Sequence, residues 1–265
     1  MPAPLSPTQP EPTAPRRILV VEDSPLNQMI VNAVLASAGY RVEMANNGLE
    51  AVMAAQAGGF DLILMDLSMP EMDGLTATRL LRDLPGPAGR VPVIAMTADT
   101  DEADRLRCRE VGMNDHVAKP VERAQLLSVV ACWLTPADQR GASAPCAPAL
   151  DRTADAVLDL DVLRQLAQDL DDDLLAEVLE QFLAETQDRI VRIIQEPDLD
   201  ALTREAHTLK STAGTFGAHA LCVAARALEM SCRAKAEAEV RALRFDIPRL
   251  AEEAIAAYRA AGYLP

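Results

Sequence analysis

The chain has 265 residues, 49% of them hydrophobic but only 3% aromatic, with a formal net charge of −15 and a pI near 4.6. That length accommodates one large domain or two of ordinary size, with enough apolar residues to fill their cores. With 40 Asp and Glu against 25 Lys and Arg, the chain would repel a phosphate backbone, which argues against nucleic acid as a partner.

Residues 1–15 form a proline-rich head without the apolar segment of a secretory signal, and read as disordered. The chain could be the end of a longer hybrid kinase, although its Met1 and proline-rich head fit a separate protein. Residues 16–135 then alternate short apolar runs with amphipathic stretches. The runs at 18–23, 41–46, 61–66, 91–98 and 116–120 read as five strands, the third and fourth apolar on both faces, as in a parallel sheet covered by helices. Leu26, Ile30 and Val34 mark a helix that stops at Gly39. Five such units predict an α/β doubly wound five-stranded parallel sheet.

Residues 136–156 are rich in Ala and Pro, without periodicity, and read as a linker. Residues 157–262 are helical throughout, with segments at 160–170, 174–195, 199–215, 218–236 and 240–261, and predict an all-α helical bundle. Phe182, Leu183, Ile190 and Ile194 are expected in its core, and the acidic run 171–173 at a helix start. Both modules are acidic. Five cysteines without a Cys-x-x-Cys pair suggest neither a disulfide framework nor a zinc ribbon, in keeping with a reducing, cytoplasmic setting. No apolar run approaches the roughly 18 residues of a membrane helix, so no membrane insertion is expected.

In an open parallel sheet, ligands sit at the carboxyl ends of the strands. Glu22 and Asp23 close the first strand, Asp66 the third, Thr97 the fourth and Lys119 the fifth. Three carboxylates gathered there call for a divalent cation, and an all-oxygen site suits magnesium. A lysine and a hydroxyl beside it supply what a transferring phosphoryl group needs.

These residues, with the MDLSMPEMDG stretch around Asp66 and Lys119-Pro120, resemble the receiver domain of two-component response regulators, with its flavodoxin-like fold. The resemblance covers about residues 16–135. It implies that Asp66 accepts a phosphoryl group as an acyl phosphate, and that Glu22, Asp23, Asp66 and the Ser68 carbonyl hold Mg2+. It further implies that Thr97 and Lys119 bind phosphoryl oxygens, and that a cis peptide bond precedes Pro120. Ser68 stands where a haloacid-dehalogenase-like phosphatase would carry a second Asp. His116 departs from the Tyr or Phe usual at the switch position, which leaves its role open. Asp99 could influence hydrolysis of the acyl phosphate, with a sign that is open at this stage.

In the second module, AHTLKSTAGTFGA (206–218) places Lys210, Ser211 and Gly214 at three, four and seven residues after His207, all on one helix face. Small residues there let a protein approach the imidazole, which when neutral is a competent nucleophile. The segment resembles a histidine phosphotransfer domain covering about 157–262, which implies an all-α four-helix bundle with His207 as the phosphorylated residue, Lys210 as its helper and Gly214 as the small residue that clears the approach. His219 reads as a helix start.

The resulting expectation is a phosphorelay intermediate, fed by an upstream histidine kinase and delivering to a downstream response regulator receiver, without an ATP-binding loop of its own. Receiver-catalysed phosphoryl transfer and slow autodephosphorylation are its expected activities, with no ATP-dependent kinase domain. Two alternatives stand beside it: a phosphorylation-gated binding module in which His207 is never phosphorylated, and a phosphate drain. Transfer between Asp66 and His207 within one molecule or between molecules is left open.

Overall fold

The computed structural model describes residues 15–97, 102–135, 156–170 and 172–264. The expected head and linker, apart from Pro15 and Ala156, lie outside these residues, as does Asp99. The first module runs β1 (Arg17–Val21), α1 (Pro25–Ser37), β2 (Arg41–Ala45), α2 (Gly48–Ala57), β3 (Leu62–Asp66), α3 (Gly74–Arg82), β4 (Val93–Thr97), α4 (Glu102–Glu110), β5 (Asp115–Ala118) and α5 (Arg123–Leu134). All five strands are parallel, in the order β2-β1-β3-β4-β5. Every residue of β3 and β4 is buried, which explains their unbroken apolar character.

Strand order reverses direction at β1, where the chain steps out to β2 and back to β3, so the carboxyl ends of β1 and β3 flank the crevice. Local chemistry sets the helix entries around it. Ser24 caps α1 by accepting from the Asn27 amide, with Pro25 in the first turn, and Asp73 caps α3 by accepting from the Thr76 amide at 2.7 Å. Gly74 lets α3 start against the end of β3: a Cβ there would lie 2.1 Å from the Asp66 carbonyl oxygen. Gly74→Ala is therefore expected to destabilise this module by about 1–3 kcal/mol through overpacking. A urea titration checks it, and an unshifted midpoint would contradict the close approach.

The second module consists of α6 (Leu160–Asp169), α7 (Asp172–Gln195), α8 (Leu199–Thr215), α9 (His219–Arg233) and α10 (Glu237–Ala260). The last four are the bundle, and α6 packs on α7 as a short addition. Phe182 of α7 stacks on Phe216 at 4.7 Å and meets Tyr258 of α10 edge-on, while the Tyr258 hydroxyl donates to the Phe216 carbonyl at 2.5 Å. Ile194, expected in the core, is instead 49% exposed. Ile193, one position earlier, keeps phase with Phe182 and Ile190 and takes the buried place. No described helix is long and apolar enough to cross a membrane.

The two modules pack together. Leu26 and Ile30 of α1 join the apolar core of the bundle, and α1 lies against α7 and α8.

Candidate functional site

The β1 and β3 ends bring Glu22, Asp23 and Asp66 together, each offering a carboxylate oxygen within 4.8 Å of the others. Lys119 follows β5 and reaches across the sheet: its Nζ lies 2.6 Å from Glu22 Oε2 and 2.7 Å from Asp66 Oδ2. The Lys119–Pro120 peptide bond is cis. Burial and the neighbouring Asp66 push Asp23 up to about 6; burial pushes Glu22 up to about 7 against the pull of Lys119. Burial alone would lower the Lys119 ammonium, but Asp66 and Glu22 outweigh it and hold the group above its ordinary range. One ammonium thus faces three carboxylates. This excess of converging, partly desolvated oxygen charge fits a hard divalent cation such as magnesium.

Thr97 is buried at the end of β4, where its carbonyl accepts from the Lys119 amide at 2.7 Å. The Ser68 amide donates to Asp66 Oδ1 at 3.2 Å. His116 lies in β5, three residues before Lys119, and is half-buried, with its Nδ1 3.7 Å from Asp115. Its Nε2 has no hydrogen-bond partner among the described residues, and burial, then Arg105, lowers its affinity for a proton.

His207 sits on α8 with its Nδ1 2.9 Å from Oε1 of Glu229 on α9. Glu229 is buried and also meets Lys210 Nζ at 2.7 Å and Arg233 Nη2 at 2.5 Å. Burial would raise this carboxyl, but the hydrogen bond and charge of His207, then those of Lys210, outweigh it and hold it at about 2. Glu229 is therefore ionised at neutral pH and can only accept. The His207 proton then resides on Nδ1, which leaves a lone pair on Nε2. The sequence expectation set Lys210 toward phosphate; the structure places its ammonium on Glu229, only 4% exposed.

The rest of the His207 face meets the first module. Ser211 Oγ accepts from Asn27 Nδ2 at 3.2 Å, and the same nitrogen donates to Glu22 Oε1 at 2.9 Å. A Cβ on Gly214 would lie 3.9 Å from Cδ of Pro120. Between the modules is a cavity of about 280 Å³, bounded by Asp23, Ser68 and Pro70 on one side and by Arg189, Glu205 and His207 on the other. It falls below the roughly 300–1,000 Å³ of a typical ligand pocket, which suits a phosphoryl group and water better than a nucleotide. Arg189 pairs with Glu205 at 2.7 Å, and its charge reaches Asp23.

Sequence reading missed Glu229, Arg189 and Asn27. Glu229 carried a signal: it shares the buried stripe of Ala225, Leu228 and Cys232, where a lone carboxylate is out of place.

Comparison with known proteins gives two family matches. A response regulator receiver domain model matches residues 18–131, and an Hpt domain model matches residues 177–261. The sensor protein GacS of Pseudomonas syringae is 34% identical over 200 residues, covering 73% of this chain and 22% of that protein. The CAI-1 autoinducer sensor kinase/phosphatase CqsS of Vibrio cholerae is 38% identical over 119 residues, 45% of this chain and 17% of that one. The chain thus spans less than a quarter of the length of these curated relatives. Among solved structures, the receiver domain of a sensor histidine kinase from Pseudomonas aeruginosa PAO1, with a magnesium ion coordinated in its active-site cleft, is 44% identical. That likeness covers 46% of this chain and 98% of the other, with a TM-score of 0.43.

Proposed function

This is a two-component signalling chain, a response regulator receiver domain followed by an Hpt domain, and from that premise we propose that it relays a phosphoryl group from a histidine kinase through Asp66 and His207 to another receiver. A carboxylate oxygen of Asp66 attacks the phosphorus of the kinase phosphohistidine, the P–N bond breaks, and the kinase imidazole leaves. Lys119, already on Asp66, and the Thr97 hydroxyl neutralise and hold the equatorial oxygens. Glu22, Asp23, Asp66 and the Ser68 carbonyl would hold magnesium, which supplies further positive charge at those oxygens when bound.

In the second step His207 Nε2 attacks the phosphorus, the P–O bond to Asp66 breaks, and the carboxylate is restored. His207 keeps its Nδ1 proton, so the phosphorylated ring is cationic, and the Glu229 carboxylate offsets that charge at 2.9 Å. Delivery to a further receiver reverses this chemistry on another aspartate. The observation that carries the reading is the cavity with Asp23 and Ser68, the neighbours of Asp66, on one wall and His207 on the opposite one.

The test uses the full chain, magnesium and radiolabelled acetyl phosphate, a small acyl phosphate that replaces the kinase as donor. Base-labile label is expected first, on Asp66, followed by acid-labile label growing at its expense on His207. Label that stays base-labile throughout would refute the relay and leave the gated binding module.

A further inference from the structure

We propose that the receiver and the bundle of one chain form a docked pair that passes the phosphoryl group from Asp66 to His207 inside the molecule in strong preference to a second copy. The inference rests on the relay reading and adds to it which partner reaches each site.

Helix α1 carries two apolar stripes. Val31, Val34 and Leu35 face the core shared with the sheet, as any helix of a doubly wound fold requires. Leu26 and Ile30, flanked by Met29 and Ala33, form a second stripe, and these residues pack into the core of the bundle. A helix that served only its own sheet would need no such stripe.

The contact is polar where it nears the chemistry. Asn27 donates both to Glu22, at the carboxylate cluster, and to Ser211, one helical turn beyond His207. Its Oδ1 is buried with no hydrogen-bond partner among the described residues, so this amide is committed to the two bonds it donates. Gly214 and Ser211 keep the bundle surface low enough for Pro120 and Asn27 to approach. The same contact forms the cleft, open to solvent on one side, that has Asp23 and Ser68 opposite His207.

Tethering makes the consequence quantitative. A linker of the length between α5 and α6 gives effective concentrations of order millimolar when geometry permits both modules to engage, as the packing of α1 against α7 and α8 does here. At about 10 µM protein, the bundle of the same molecule then outcompetes that of another by roughly 100-fold.

The experiment mixes two full-length variants, His207→Ala and Asp66→Ala, each at about 10 µM, with labelled acetyl phosphate. The docked pair predicts that acid-labile label appears on the Asp66→Ala chain roughly 100-fold more slowly than in wild type. It also predicts a wild-type transfer rate that does not change with protein concentration. Ile30→Arg, which touches the interface and none of the reacting groups, should leave Asp66 labelling intact while slowing the appearance of label on His207 at least ~10-fold. Transfer in the mixture as fast as in wild type, a rate proportional to concentration, or an unchanged rate in Ile30→Arg would each overturn the proposal. In those cases the relay itself survives, because His207 is still labelled. Wild-type protein labelled on Asp66 but never on His207 would instead remove the relay and the docked pair together.

Discussion

Asp66→Ala in the full chain is expected to abolish label at both sites when acetyl phosphate is the donor. Glu22 and Asp23 lie in the same cluster, but Asp66 is the carboxylate that ends β3, accepts the Ser68 amide and holds Lys119. The other two sit beside it as carriers of charge. Acid-labile label on the Asp66→Ala chain would show that His207 takes phosphate directly from the donor and would sink the order of the relay. Lys119→Met separates charge from shape. It removes the ammonium that Glu22 and Asp66 share at 2.6 and 2.7 Å, and the rate of Asp66 labelling should fall by about 10²–10³-fold, the usual cost of one preorganised electrostatic group. The variant also leaves two buried carboxylates facing each other, a loss of about 3–5 kcal/mol for a broken buried pair. Magnesium should therefore raise its melting temperature more than that of wild type. A labelling rate within a factor of three of wild type would contradict the role given to Lys119.

The part of the site built on strand ends was legible in the sequence because a parallel sheet converts order along the chain into position. Once Asp66 and Lys119 close β3 and β5, the fold brings them to the same edge. Helical segments were equally legible from their apolar period, apart from the single phase error at Ile194. What could not be read was pairing across distance. Asn27 and Ser211 are 184 residues apart, and no local pattern says that a capped first turn of α1 will meet the His207 face. Glu229 is 22 residues from His207, a separation set by the length of two helices and the turn at Gly217, not by any motif. Lys210 shows the same gap from the other side. Helical spacing placed it beside His207, but the carboxylate that takes up its ammonium comes from the neighbouring helix.

That carboxylate gives the last prediction. Glu229→Ala is expected to slow transfer from Asp66 to His207 by about 10²–10⁴-fold, the range seen when the group orienting a reactive histidine is removed. Without the acceptor at 2.9 Å, the imidazole proton is no longer held on Nδ1, and the cationic phosphorylated ring loses its counter-charge. Lys210 and Arg233 lose their shared partner as well. Glu229→Gln keeps one acceptor oxygen for Nδ1 while removing the charge and putting an NH2 donor in place of the other oxygen, so a smaller loss than in Glu229→Ala is expected. Equal losses in the two variants would mean that charge, not tautomer, governs the step; no loss in either would refute the orienting role. Acid offers an independent check. The folded carboxyl is held at about 2, against an ordinary value of 4.5, so it binds a proton less readily in the folded state than in the unfolded one. Its contribution to bundle stability is present above about pH 4.5 and lost as pH falls toward 2. Helical circular dichroism during thermal melts should show wild type losing stability through that window and Glu229→Gln losing less of it.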